Sequence, residues 1–371
     1  MSVQITRRSF LKTTAAGAAA LVVGIDARGA LAAGREETVV NPFVRIDRDG
    51  TVTVIAKHFE MGQGTSTGLT TLVAEELDAD WNHVKVEFAP ADQEKYKNLF
   101  WGVQSTGGST AIANSFMQYR KAGATARELL VQAAAIKWGV EEEDIVVSKG
   151  ILTAGSKQGH FGDFVAEAVT LEPFGEPELK SPDQFKLIGK LELPRKDSAP
   201  KTDGSAVFAM DVMLPGMVYA AILRSPRFGG TLKSFDAGAA RNVAGFIDAK
   251  TMPNQASVVV FAKNTWAALQ ARNALSAEWD FSNAESRSTA EMIEAHRELA
   301  ASPEYSARET SRDEAQSAIG KAAKTVEAEF LFPFLAHAPM ETLNCVIEPT
   351  GDGVRFHDGC QGPSTSLLYT S

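Results

Sequence analysis

Apolar residues recur along this chain with two different periods. Phe43 to Asp47 and Thr51 to Ile55 alternate apolar and polar residues around Arg48-Asp49-Gly50, which predicts two strands joined by a turn. Asp47, Asp49 and Gly50 begin a calcium-loop pattern, but its later ligands are missing. The period then lengthens: Leu69, Leu72, Val73, Ala74 and Leu77 lie at helical spacing, with Glu75 and Glu76 on the other, polar side and Thr65 to Thr67 as N-cap. A strand near His83 to Ala89 leads to a long helix carrying Ile112, Phe116, Tyr119, Leu129, Leu130, Ala133 and Ile136, closed by Gly139. Ile145 to Val147 and Ile151 to Thr153 predict a short strand pair. From Glu167 to Pro200 periodicity gives way to Pro, Glu, Lys and Asp, the mark of a connector. Beyond it, Ala206 to Val212 and Met217 to Leu223 flank Leu214-Pro215-Gly216 and predict two paired strands. Ala256 to Phe261 predicts a buried strand, and Thr265 to Ala277 and Thr289 to Leu299 predict helices. Thr325 to Leu331, Thr342 to Glu348 and Val354 to His357 predict further strands. The sum is a mixed α+β chain.

With 371 residues, 44% hydrophobic and 22% charged, the chain is long enough for two or three domains with their own cores. The N-terminus changes the picture. Thr6-Arg7-Arg8-Ser9-Phe10-Leu11-Lys12 resembles a twin-arginine export signal; a weakly apolar run from Ala15 to Ile25 and a small-residue cleavage site, Ala30-Leu31-Ala32, follow it. Residues 1–32 are therefore expected to be a signal peptide and the mature protein to be periplasmic, exported after folding. The formal charge of −9 becomes about −12 once Arg7, Arg8, Lys12 and Arg28 are removed with Asp26. Such a surface disfavours nucleic acid and anionic membranes as partners. No later run is long and apolar enough to predict a membrane span. Two cysteines, Cys345 and Cys360, can form one bridge but cannot ligate an iron–sulfur cluster or build a four-ligand zinc site. His58, His83, His160, His296, His337 and His357 show no metal-ligand spacing.

The chemical signal lies in two glycine–hydroxyl loops, each opening a predicted helix: Glu60-Met61-Gly62-Gln63-Gly64-Thr65 and Gln104-Ser105-Thr106-Gly107-Gly108-Ser109-Thr110. Helix N-termini expose unpaired N–H groups, glycines let an anion approach the backbone, and hydroxyls add donors, so both loops suit phosphate. Neither matches the dinucleotide fingerprint or the lysine-containing P-loop. Gln63, between two glycines, can reach a ligand with its amide. If both loops face one anionic cofactor, they must converge in space although they lie about forty residues apart.

These loops resemble two pterin-binding segments of the xanthine dehydrogenase and aldehyde oxidase family of molybdenum hydroxylases. Lys201-Thr-Asp-Gly-Ser-Ala-Val-Phe-Ala-Met-Asp-Val with Leu214 to Pro226 is similar to the opening of that family's a/b hammerhead domain, and Phe334 to Cys345 to a strand region of its cofactor domain. The motif order and the leader are similar to those of isoquinoline 1-oxidoreductase β subunits, one lineage of the family. The resemblance implies a signal peptide over 1–32, a molybdopterin-binding segment over 33–165, a connector over 166–200, a hammerhead over 201–285 and the start of the main molybdopterin-binding domain over 286–371, cut short. It implies molybdenum on molybdopterin, as its cytosine dinucleotide, and hydroxylation of N-heterocycles or aldehydes with oxygen from water. Electrons would leave through a [2Fe–2S] small subunit, with a c-type cytochrome as a further acceptor. Gly62 and Gly64 would let the pterin approach, Gln63 would face the metal–dithiolene region, and Ser105, Thr106, Gly107, Gly108, Ser109 and Thr110 would hold the phosphate or nucleotide end. Gln361 would line the same domain.

The sequence departs from the family in two places. Leu335 stands where better-known members carry a glutamine two residues before the histidine matching His337. The family's glutamate base falls beyond Ser371, so no residue here is assigned a catalytic role; Glu341 is read as a strand residue. Two other readings stay open on the residues alone: a truncated, non-catalytic product, and an exported module that binds an anion or nucleotide without molybdenum.

Overall fold

A computed structural model of the chain describes residues 21–25, 31–33, 42–190, 192–253, 256–301 and 312–365. The twin-arginine stretch lies outside the described residues. The chain divides into two compact units, one running to Asp211 and resuming at Leu343, the other covering Val212–Thr342. The segment from Leu343 onward, grouped by sequence with 286–342, folds with the first unit.

The first unit is built on a five-stranded sheet. Its elements, in chain order, are β1 (Leu21–Ile25), β2 (Leu31–Ala33), β3 (Pro42–Ile46), β4 (Val52–Ala56), helix α1 (Thr65–Leu77), β5 (Val84–Phe88) and helix α2 (Ala111–Trp138). The strand order is β2-β1-β3-β4-β5. β3 and β4 form the expected hairpin, pairing Val44 with Val54. Gly50 turns it at φ 81°, a left-handed conformation suited to glycine, and Asp49 accepts from the Thr51 amide at 2.8 Å. β5 runs parallel to β4 because α1 carries the chain back across the sheet. Part of the apolar run expected to belong to a signal peptide forms β1, antiparallel to β3.

α1 and α2 pack closely because glycines stand where they meet. A Cβ on Gly123 would lie 2.6 Å from the Val73 carbonyl, and one on Gly68 would lie 2.8 Å from Ile112 Cδ1. The fully buried Tyr119 of α2 donates its hydroxyl proton to the Ile55 carbonyl at 2.7 Å and accepts from the Lys57 amide at 2.9 Å, pinning the helix to the end of β4. Gly139 closes α2 at φ 64°, as expected. A three-stranded antiparallel meander follows: β6 (Val146–Ser148), β7 (Ile151–Ala154) and β8 (Lys157–His160). Its third strand, Lys-Gln-Gly-His, has no apolar alternation to announce it.

Two sequence expectations about this unit need correction. Thr65 to Thr67 are not the N-cap of α1: the cap is Gly64, in the left-handed region, and the threonines lie inside the helix. Glu75 and Glu76 are not on a solvated face, being 1% and 0% exposed. Instead they anchor the connector. Glu75 Oε2 accepts from three consecutive amides, Lys186 at 2.9 Å, Leu187 at 2.6 Å and Ile188 at 3.0 Å. Glu76 accepts from the Arg120 guanidinium at 2.7 Å and from the Lys180 amide at 3.0 Å. Lys180 Nζ reaches Asp78 at 2.8 Å and donates to the Glu75 carbonyl. A helix packed by α2 on one side and covered by the connector on another has little polar face to show to water, so its carboxylates are buried with partners.

In the second unit β9 (Tyr219–Arg224), β11 (Phe246–Thr251) and β12 (Ser257–Ala262) form a sheet of order β11-β12-β9, and β10 (Thr231–Asp236) pairs with β13 (Ser276–Asp280). Helix α3 (Thr265–Asn273) buries Ala267, Ala268 and Ala271, and Asn264 caps it by accepting from the Ala267 amide. Helix α4 (Thr289–Ala301) matches the expected polar helix, and helix α5 (Arg312–Gly320) follows. The expected pairing of 206–212 with 217–223 does not form. The Pro-Gly turn is present, with Gly216 at φ 72°, but β9 pairs with the central, valine-rich β12, while Val207, Met210 and Met213 are exposed. Thr325 to Leu331 is not a strand either; Val326 and Phe330 are exposed. β14 (Val346–Thr350) and β15 (Gly353–His357) form a hairpin within the first unit.

The buried Glu75 generates a prediction. Glu75→Ala leaves the amides of Lys186, Leu187 and Ile188 without their acceptor and should cost about 3–5 kcal/mol in urea unfolding. Proteolysis should then cut within 180–190 in the folded variant and spare the wild type.

Candidate functional site

The two glycine–hydroxyl loops open neighbouring helices at the same end of the α1–α2 pair, and they touch. The Phe59 amide donates to Thr106 Oγ1 at 2.9 Å, and His58 Nδ1 lies 3.1 Å from the Ser105 carbonyl. Gln361, 255 residues along the chain, joins them: the Thr106 amide donates to its carbonyl at 2.7 Å, and its Nε2 donates to the Thr106 carbonyl at 2.8 Å. Three distant segments, 58–59, 105–106 and 361, thus form one cradle. The convergence expected of the loops is met.

The loops differ in what they leave for a ligand. At the start of α1 several donors are already used. Glu60 Oε1 accepts from the Gly62 amide at 2.8 Å and the Gly64 amide at 2.9 Å, and Oε2 accepts from Ser66 through its amide at 3.0 Å and its hydroxyl at 2.8 Å. Gly62 and Gly64 adopt φ of 103° and 87°, which glycine takes without strain and which turn these amides inward. Gln63 is exposed yet oriented, its Oε1 accepting from the Met61 amide at 2.7 Å and its Nε2 donating to the Phe59 carbonyl at 2.8 Å. Each end of the amide keeps one further hydrogen-bonding position.

The start of α2 is more open. Gly108 and Ser109 are both left-handed at φ 56°, and Thr110, the cap residue, makes no side-chain bond to the first turn. Its hydroxyl instead donates to the Gly107 carbonyl at 2.9 Å and accepts from Asn98 Nδ2 at 2.8 Å. Ser105 Oγ is buried without a hydrogen-bond partner. None of the described residues satisfies this hydroxyl. Trp101 lies against both glycines: an added Cβ would stand 3.5 Å from the indole at Gly107 and 2.7 Å from it at Gly108, where the indole would have to shift.

Several residues beneath the loops were not singled out by sequence. Lys57 is 1% exposed and donates to Gln118 Oε1 at 2.6 Å and to the Lys97 carbonyl at 3.3 Å; burial pulls its ammonium down to about 7. Burial and, secondarily, the neighbouring Lys57 charge pull His58 down to about 4. Its hydrogen bonds agree with a neutral ring: Nδ1 donates to the Ser105 carbonyl, and Nε2 accepts from Asn114 Nδ2 at 3.4 Å. Buried Asn98 and Gln104 hold the approach to the second loop, Gln104 accepting from the Asp92 amide at 2.8 Å and donating to the Pro90 carbonyl at 3.0 Å. The sequence signal available for Lys57-His58 was their place directly after the buried β4. Among the described residues, no group of three or more His, Cys, Asp or Glu could hold a metal, and no helix is long and apolar enough to cross a membrane.

Unused hydrogen-bonding positions therefore lie at the start of α2 and on the Gln63 amide. A family model described as molybdopterin cofactor-binding domain matches residues 6–213. The chain is 30% identical to the isoquinoline 1-oxidoreductase beta subunit of Brevundimonas diminuta over 84% of this chain and 45% of that one. It is 30% identical to a membrane-bound aldehyde dehydrogenase (pyrroloquinoline-quinone) of Gluconacetobacter polyoxogenes over 86% and 42%, and 24% identical to a nicotinate dehydrogenase subunit of Pseudomonas putida over 86% and 27%. It spans less than half the length of each. Among solved structures, quinoline 2-oxidoreductase of Pseudomonas putida 86 is 21% identical over 44% of this chain and 22% of that one, with a TM-score of 0.28.

His58 makes the site's acid response testable. The folded chain keeps this ring neutral down to about 4, whereas the unfolded chain takes up a proton near the ordinary value of about 6.5. Between these values the unfolded state binds more protons, so acidification through this window should remove stability, by on the order of 3 kcal/mol. His58→Gln should flatten the slope of unfolding free energy against pH between about 6.5 and 4.

Proposed function

Because the chain belongs to the molybdopterin cofactor-binding domain family, we propose that it forms the N-terminal part of the large subunit of an exported molybdenum hydroxylase. The observation that carries this reading is the cradle in which Phe59, Thr106 and Gln361 bind one another, since it unites both cofactor-type loops with a third segment. The donors present fit the group. Ser105 Oγ, the backbone at Gly107 to Ser109 and the first turn of α2 would hold its phosphate or cytosine-nucleotide end, Gly62 and Gly64 would let the pterin ring come close, and Gln63 would meet its edge with its remaining donor and acceptor positions. The bound molybdenum would supply two-electron oxidation of a substrate carbon with oxygen from water. The neutral His58 ring beneath would add no fixed charge to the floor of the site.

The names of the relatives support N-heterocycles or aldehydes as the substrate class. A [2Fe–2S] small subunit would take the electrons, with a c-type cytochrome beyond it. We further propose that residues 201–285 form the a/b hammerhead domain and that the mature protein is periplasmic.

Two measurements check this. The chain, co-expressed with molybdenum-cofactor synthesis, should carry molybdenum and release cytosine monophosphate on hydrolysis, and Gly108→Val should lose both while staying folded; a chain with neither would end the cofactor reading. Arg7→Lys with Arg8→Lys should leave the precursor uncleaved in the cytoplasm, and unchanged export of this double variant would remove the twin-arginine assignment.

A further inference from the structure

The start of α1 already holds an anion, and that anion belongs to the chain. The Glu60 carboxylate receives four hydrogen bonds from Gly62, Gly64 and Ser66 and a fifth contact from Arg195 Nη2 at 3.2 Å. Its side chain is 5% exposed. A carboxylate has about four lone-pair positions, so this one is saturated, and the amides it uses have no second proton to give. A phosphate brought to the same helix start would find the Gly62, Gly64 and Ser66 donors occupied and would meet a like charge. The arrangement also sets the shape of the loop. Pulling the Gly62 and Gly64 amides to one oxygen arches the backbone between them, and Gln63 sits at the crown of that arch.

Arg195, at the end of the connector, closes the arch from outside. It donates to the Gly62 carbonyl at 3.1 Å as well as to Glu60, and Asp197 holds it in place at 2.8 Å. The neighbouring Lys196 amide donates to Thr67 Oγ1 at 3.0 Å, and Trp81 Nε1 donates to the Pro194 carbonyl at 3.2 Å, so residues 194–196 lie strapped across the first turn of α1.

We propose that Glu60 is the positioning residue of the Gly62-Gln63-Gly64 loop: its carboxylate takes the place of an external anion at the start of α1 and aims Gln63, with Arg195 as the latch. The two loops then have different tasks. The first orients an amide and is closed to phosphate, and the second alone takes the anionic end of a ligand. The assignment of Gln63 to a cofactor rests on the function proposed above; the occupancy of the nest by Glu60 does not.

The test uses the full chain and hydrogen-exchange mass spectrometry over residues 60–68. Glu60→Ala should raise exchange of this segment at least about tenfold while leaving the β12 core unchanged. Added formate or acetate should slow it again and raise the melting temperature of the variant but not of the wild type. Glu60→Gln, which keeps the shape and loses the charge, should exchange faster than wild type, and Arg195→Met should do so more weakly. Unchanged exchange in Glu60→Ala overturns the proposal. So does a loss of protection that no small anion restores together with wild-type behaviour of Glu60→Gln, since shape rather than charge would then hold the loop. If Glu60→Ala does not fold, faster exchange in Glu60→Gln supports the proposal and wild-type exchange overturns it. Molybdenum content is read on the same samples: anion-restorable protection in a chain that never carries molybdenum keeps Glu60 as the positioning residue and removes the cofactor.

Discussion

Close approach of α1 and α2 is the constraint on which the rest of the first unit depends. At Gly123 there is no room for a Cβ beside the Val73 carbonyl, and at Gly68 the space is filled by Ile112. Two helices held this tightly bring their first turns side by side, and the loops that precede them then meet through single hydrogen bonds such as Phe59 to Thr106. The spacing of glycines in the helices, rather than the glycines in the loops, is what makes one site of two.

The same packing explains the buried charge. α1 is covered on more than one side, so Glu75 and Glu76 are taken out of water and must find donors. They find them in the connector, whose backbone amides at Lys186 to Ile188 wrap one carboxylate oxygen. A stretch without periodicity therefore has a fixed course, and its far end delivers Arg195 to the loop ahead of α1. Glu60 and Glu75 are used alike: each is an anion enclosed by main-chain N–H groups, one ahead of the helix and one on its flank. Their hydrogen bonds outweigh the effect of burial and hold both carboxyls below the usual carboxylate range.

Much of this was legible in the sequence, and the rest was hidden for physical reasons. The β3–β4 hairpin, the span of α2 and its Gly139 stop followed from periodicity and turn chemistry, which are local. Both loops and Gln361 were legible as residue types, and the structure brings them together. The role of Glu60 was not, because a carboxylate shortly before a helix reads as an ordinary polar residue until the backbone curls around it. Glu75 and Glu76 misled for the opposite reason: burial with partners leaves no trace in a helical wheel. The pairing of β9 with β12 rather than with 206–212 is a tertiary choice among several strand-like segments, made by the valines of β12.

The bond between Thr106 and Gln361 has a consequence in time. Its two ends are 255 residues apart, so the cradle closes only when nearly all of the described chain has left the ribosome, long after the β3–β4 hairpin and the α1–α2 pair can form from local segments. Closure over such a span is slow relative to these local steps. Until then the Thr106 amide and carbonyl lack these partners, so that a ligand can reach the two loops before the last act of folding.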